Sequence, residues 1–159
     1  MSDPQPSRRG AAAVGLLADL PPFEAGAVRY FRYWFSGGAA RADLHQAFCN
    51  SLGPTRARAA FDCFGALCEF CVTHGRRPLM RHGMSCSCLG ADENCFANLL
   101  AAAIEGEATD ADLLATLLVA PQQAQKLSAL AAQSGLFLQQ ITGGMAPRRS
   151  YRPGSATLH

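Results

Sequence analysis

The stretch from Pro54 to His74 limits the possible folds more than any other. Gly53-Pro54 opens it and Gly75 closes it; proline suits a first helical turn and glycine a C-terminal cap. Between them Ala57, Ala60, Phe61, Phe64, Ala66, Leu67, Cys68 and Cys71 recur at helical spacing and cover much of the circumference. A helix apolar over so wide an arc has to be surrounded by other elements. No segment alternates convincingly in the manner of a strand, so the surrounding elements are expected to be helices too. The fold class that follows is all-α: a compact single-domain bundle of roughly five to seven helices with an irregular Cys/His-bearing connector.

The other helices follow from the same periodicity. Ala11 to Leu20 is expected to form a short helix that stops before Pro21-Pro22. Phe23 to Phe35 turns Ala27, Val28, Phe31, Trp34 and Phe35 inward and leaves Arg29, Arg32 and Ser36 on the other side. Its many aromatic residues read as core, because aromatics bury the most area per residue. Arg41 to Leu52 places Leu44, Ala47, Phe48 and Leu52 inward. Beyond the connector, Asp92 or its neighbour opens a fourth helix with Phe96, Leu99, Leu100 and Ile104 inward. Thr109 or Asp110 is expected to cap a fifth, reaching Val119 and carrying Leu113, Leu114, Leu117 and Leu118. Pro121 opens a sixth, which Gly135 interrupts before a short last helix from Leu136 to Ile141. The domain organisation is a disordered N-terminus (1–10), a helical domain (11–142) and a disordered Arg/Pro/Gly-rich tail (143–159).

With 159 residues, 49% of them hydrophobic, the chain can bury one substantial core. A formal net charge of +2 makes no electrostatic case for nucleic acid by itself. The distribution is less even: every charged residue from Asp92 to Asp112 is acidic, and the tail after Met145 carries only arginine. Such a dipolar surface can orient a partner, although a merely solvated face has the same composition. No apolar run approaches membrane-spanning length, so no membrane association is expected. Ser7-Arg8-Arg9 ahead of Ala11–Ala18 faintly outlines a twin-arginine signal, but Asp19, Pro21, Pro22 and Glu24 interrupt it. A soluble cytoplasmic protein is expected, and in that compartment cysteines serve as thiols, ligands or nucleophiles rather than disulfides.

The chemistry concentrates between Cys63 and Cys95, where six of the seven cysteines and two of the four histidines fall. The connector, Arg76 to Gly90, is longer than most helix–helix links, which points to a function or a clamp. It carries His82-x3-Cys86-x-Cys88, followed by Cys95 at the head of the fourth helix. One imidazole and three thiolates make a full tetrahedral set for zinc, or less favourably for an iron–sulfur cluster. Cys71 and His74, three apart on one helical face, are possible substitutes in that set. Cys63, Cys68 and Cys71, and Cys49 on the second helix, read as core thiols, since free cysteine is among the most buried residue types. Arg76, Arg77 and Arg81 cluster beside His82, placed either to act on the thiols or to solvate the connector.

Cys49 to Ala59 loosely follows a helix-turn-helix outline, with Gly53 in the turn and Thr55, Arg56 and Arg58 at the head of the second helix. An ordinary helical hairpin uses the same break. There is no phosphate loop, dinucleotide fingerprint, nucleophile elbow or His-Glu-x-x-His. Asp92 and Glu93 are adjacent and point different ways on a helix, a poor general acid–base pair. Catalysis would have to use Cys86 or Cys88 with His82 as base, and no residue stands out to orient that histidine. The expected function is non-catalytic metal binding, structural or regulatory, through His82, Cys86, Cys88 and Cys95, with zinc as the cofactor. One alternative is a metal- or redox-responsive helix-turn-helix regulator that contacts DNA through Thr55, Arg56 and Arg58. The other is a helical protein-interaction module with structural cysteines and no metal.

Overall fold

A computed structural model describes residues 9–143, so the expectations for residues 1–8 and 144–159 lie outside the described residues. The fold is all-α, with six α-helices among the described residues: α1 Pro22–Trp34, α2 Gly38–Leu52, α3 Pro54–His74, α4 Ala91–Ile104, α5 Ala108–Leu118 and α6 Ala124–Gly143. α3 is central as its composition requires. Phe64, Leu67 and Cys68 on it are fully buried, and it packs against α2 and α6. Phe31, Phe48, Phe64 and Phe96 meet edge-on or tilted at the centre, which identifies the aromatic-rich α1 as core. No described helix is long and apolar enough to cross a membrane.

Four local expectations need correction. The segment from Ala11 to Leu20 is not an α-helix, and its one helical turn after Ala11 is the short 3-10 piece Leu17–Asp19. Ala13–Leu16 (β1) pairs antiparallel with Cys88–Gly90 (β2), so the chain does contain a small sheet. All four β1 residues are exposed, and four residues too short to alternate clearly gave no strand pattern in the sequence. Gly135 does not interrupt the last helix, because α6 runs unbroken through it. A Cβ there would run into the Ile104 side chain, so this glycine lets α6 and α4 approach closely. No side chain caps α5, whose N-cap position is Glu107 rather than Thr109 or Asp110.

The sequence leaves the leucines of α5 unsorted. α5 turns Ala111, Ala115 and Leu118 inward and leaves Leu113 and Leu117 about three-fifths exposed, at 61% and 60%. Gly106 adopts a left-handed backbone at φ 77° in the tight turn that folds α5 back on α4. The fourth correction is the facing of Arg32, which does not lie on the solvent side of α1. It is completely buried.

Candidate functional site

The burial of Arg32 organises the connector. An unpaired buried guanidinium is prohibitively costly, so its donors must be used. Nε donates to Glu93 Oε1 at 2.8 Å and Nη2 to Glu93 Oε2 at 2.9 Å. Nη1 also donates to the Cys86 carbonyl and Nη2 to the Cys88 carbonyl, both at 2.7 Å. Four of the five N–H groups of an arginine are thereby satisfied.

Glu93 is equally saturated. Besides Arg32 it accepts the His82 backbone N–H at 2.8 Å and the Gly90 N–H at 2.9 Å. The Gly90 contact satisfies the amide that enters α4, where a carboxylate also suits the helix dipole. Burial pushes the Glu93 carboxyl up, but Arg32, the two amide donors and the Arg32 charge outweigh it and hold it below the ordinary carboxylate value.

A second clamp lies one residue earlier. Asp92 takes a bidentate pair from Arg77, both contacts at 2.7 Å, and accepts the Met80 backbone N–H at 2.8 Å. Asp92 and Glu93 therefore do point different ways, and each seizes a different part of the connector. The arginine cluster is dispersed. Arg76 donates to the Thr116 carbonyl at 3.1 Å and Arg81 to the Phe35 carbonyl at 2.6 Å, so these cations do not converge on the thiols.

Held this way, the connector presents one close pair of candidate ligands. His82 Nδ1 lies 3.7 Å from Cys86 Sγ, and His82 Nε2 lies 2.9 Å from the Ala11 carbonyl oxygen. A carbonyl can only accept, so Nε2 carries the proton. In the neutral ring Nδ1 is then a bare lone pair facing the Cys86 thiol, with Cys86 S–H as donor. The orienting partner of His82 that no residue in the sequence suggested is thus a backbone carbonyl. It is brought in by the N-terminal segment, whose Ala12 carbonyl also accepts the Ala91 N–H and whose Leu17 N–H donates to Ser87. Gly90 faces the same ring, and a Cβ there would sit 2.9 Å from His82 Cδ2.

Cys95 keeps different company. Its thiol donates to the Leu114 carbonyl at 3.6 Å, and burial pushes it up to about 11. Cys71 is nearly fully buried and is pushed up to about 12 by burial, with the neighbouring Cys95 adding to it. Cys68 is fully buried and is also pushed well up. His74 stacks on Phe70 at a ring separation of 4.4 Å. Among the described residues no three of the His, Cys, Asp and Glu side chains are gathered closely enough to hold a metal ion. The structure brings His82 to Cys86, does not bring Cys95 to either, and leaves Cys71 and His74 in their own surroundings.

The helix-turn-helix candidates are all exposed at the start of α3. Arg58 pairs with Asp62 one turn on at 3.2 Å, and Arg56 donates to Gln140 on α6. No family model matches the chain, and no curated protein or solved structure matches it.

Proposed function

We propose that the connector binds a soft divalent ion, zinc above others, through His82, Cys86 and Cys88, in a structural or regulatory role. The observation that carries this is the His82–Cys86 pair. A tetrahedral zinc with Zn–N of about 2.0–2.1 Å and Zn–S of about 2.3 Å separates a nitrogen and a sulfur ligand by about 3.6 Å. The 3.7 Å between Nδ1 and Sγ is compatible with such an edge. Metal-ligating histidines usually donate their other ring N–H to a carbonyl or carboxylate, and His82 has such an acceptor in Ala11.

Cys88 is proposed as the third ligand as the next thiol along the connector, where Arg32 holds its carbonyl together with that of Cys86. Cys95 would have to leave the Leu114 carbonyl and the company of Cys71, so it is not part of the set. The test is cobalt substitution in the full, reduced chain. A thiolate-bearing tetrahedral site gives strong visible bands and a near-ultraviolet sulfur-to-metal band, both bleached by added zinc. His82→Ala and Cys86→Ser are expected to weaken binding by roughly a hundredfold, while Cys95→Ser keeps it. Absence of the bands, or their survival in Cys86→Ser with the helical circular dichroism intact, removes the reading.

A further inference from the structure

The molecule's other distinctive surface is the groove of about 680 Å³ between α4, α5 and the first turn of α1. Leu113 and Leu117, one turn apart on α5, line it and stay largely exposed. Its charged lining is Glu24, Glu105, Glu107 and Asp110, four carboxylates and no cation. None of the four forms an ion pair among the described residues, whose three pairs are Arg32–Glu93, Arg58–Asp62 and Arg77–Asp92. Apolar side chains inside an unneutralised acidic rim define a complementary ligand: one with apolar groups at helical spacing flanked by cations. Nucleic acid and acidic lipid surfaces carry the wrong sign for this rim, which leaves a protein segment.

We propose that this groove docks an arginine- or lysine-rich amphipathic helix of a partner protein, its apolar stripe on Leu113 and Leu117 and its cations on the four carboxylates. The site is separate from the His82–Cys86 pair and does not depend on metal. The probe is a synthetic peptide with leucines at positions i, i+3, i+4 and i+7 and arginines between, compared with a scrambled peptide and a version with glutamate in place of arginine. Binding to the full chain is followed by fluorescence anisotropy and by amide shifts. The patterned arginine peptide is expected to bind at least tenfold more tightly than either control, with shifts confined to residues 98–117 and the first turn of α1 around Glu24. Leu113→Ser/Leu117→Ser and Glu105→Gln/Glu107→Gln/Asp110→Asn should each weaken it about tenfold. Raising the salt should weaken it further.

Three results overturn the proposal. One is equal binding of the scrambled peptide, or shifts elsewhere. A second is a gain of tenfold or more on removing residues 144–159, because the chain's own arginine-bearing segment is then the occupant. The third is self-association that Leu117→Ser abolishes, because a second copy is then the occupant. The substituted residues are exposed or at the groove's edge, so circular dichroism suffices to show that the variants fold.

Discussion

The two ends of α4 use the same residue types to opposite effect. At its head, Asp92 and Glu93 are almost fully buried, and each is matched by an arginine and by backbone amides. At its tail, Glu105, and beyond it Glu107 and Asp110, face water beside exposed leucines and form no ion pair among the described residues. A carboxylate surrounded by donors is part of the architecture, and removing it leaves orphaned groups behind. A carboxylate whose donors are all water can change partners at little cost. The head of α4 therefore shapes the connector, whereas its tail is surface with no fixed partner among the described residues.

The sharpest way to break this contrast is to remove one member of the buried pair. Arg32→Ala or Glu93→Ala is expected to cost about 3–5 kcal/mol, because each leaves a buried charge without its partner. Arg32→Ala also strands the Cys86 and Cys88 carbonyls. Chemical denaturation measures the loss, and a cost under about 1 kcal/mol would mean that the pair is incidental. Arg77→Ala is the milder version. Arg77 is 46% exposed and Asp92 retains its amide donor, so about 2 kcal/mol is expected by the same measurement.

Acid provides an independent probe of the head. The folded-state value of Glu93 lies below its ordinary value of 4.5, so its contribution is fully present above that value. It is lost as pH falls from about 4.5 through the lower folded-state value. In Glu93→Gln that part of the acid destabilisation should vanish, and an unchanged acid limb would contradict the assignment. The smallest effect belongs to the groove. Glu105→Gln/Glu107→Gln/Asp110→Asn is expected to leave stability within about 0.5 kcal/mol of the parent chain. A loss approaching that of Glu93→Ala would erase the contrast between the two ends.

Helical periodicity revealed the scaffold because most helices bury one continuous stripe. Pro54–His74 was bounded by its flanking glycines, and its burial followed from its composition. The clamp was far less legible. Arg32 lies four residues after Val28 and three before Phe35, on an apolar stripe, yet arginine on a helix is ordinarily solvated. Only the folding of the connector over α1 buries it, and that long-range event leaves no local pattern. The adjacent acids at the head of α4 were the available signal, once considered as caps for two different partners rather than as a catalytic pair. Leu113, Leu114, Leu117 and Leu118 could not be sorted by hydrophobicity alone. The small faces of Ala111 and Ala115 decide which side of α5 packs. The His82 orienter was invisible for a simpler reason: a backbone carbonyl has no letter in the sequence.

The most direct test of the connector's role is an anomalous difference map from zinc-loaded crystals of the reduced chain. A single strong peak is expected about 2.0–2.1 Å from His82 Nδ1 and about 2.3 Å from Cys86 Sγ, with the Cys88 sulfur turned towards it. A peak between Cys71 and Cys95, or none at His82 in crystals that show the Arg32–Glu93 clamp intact, would contradict it.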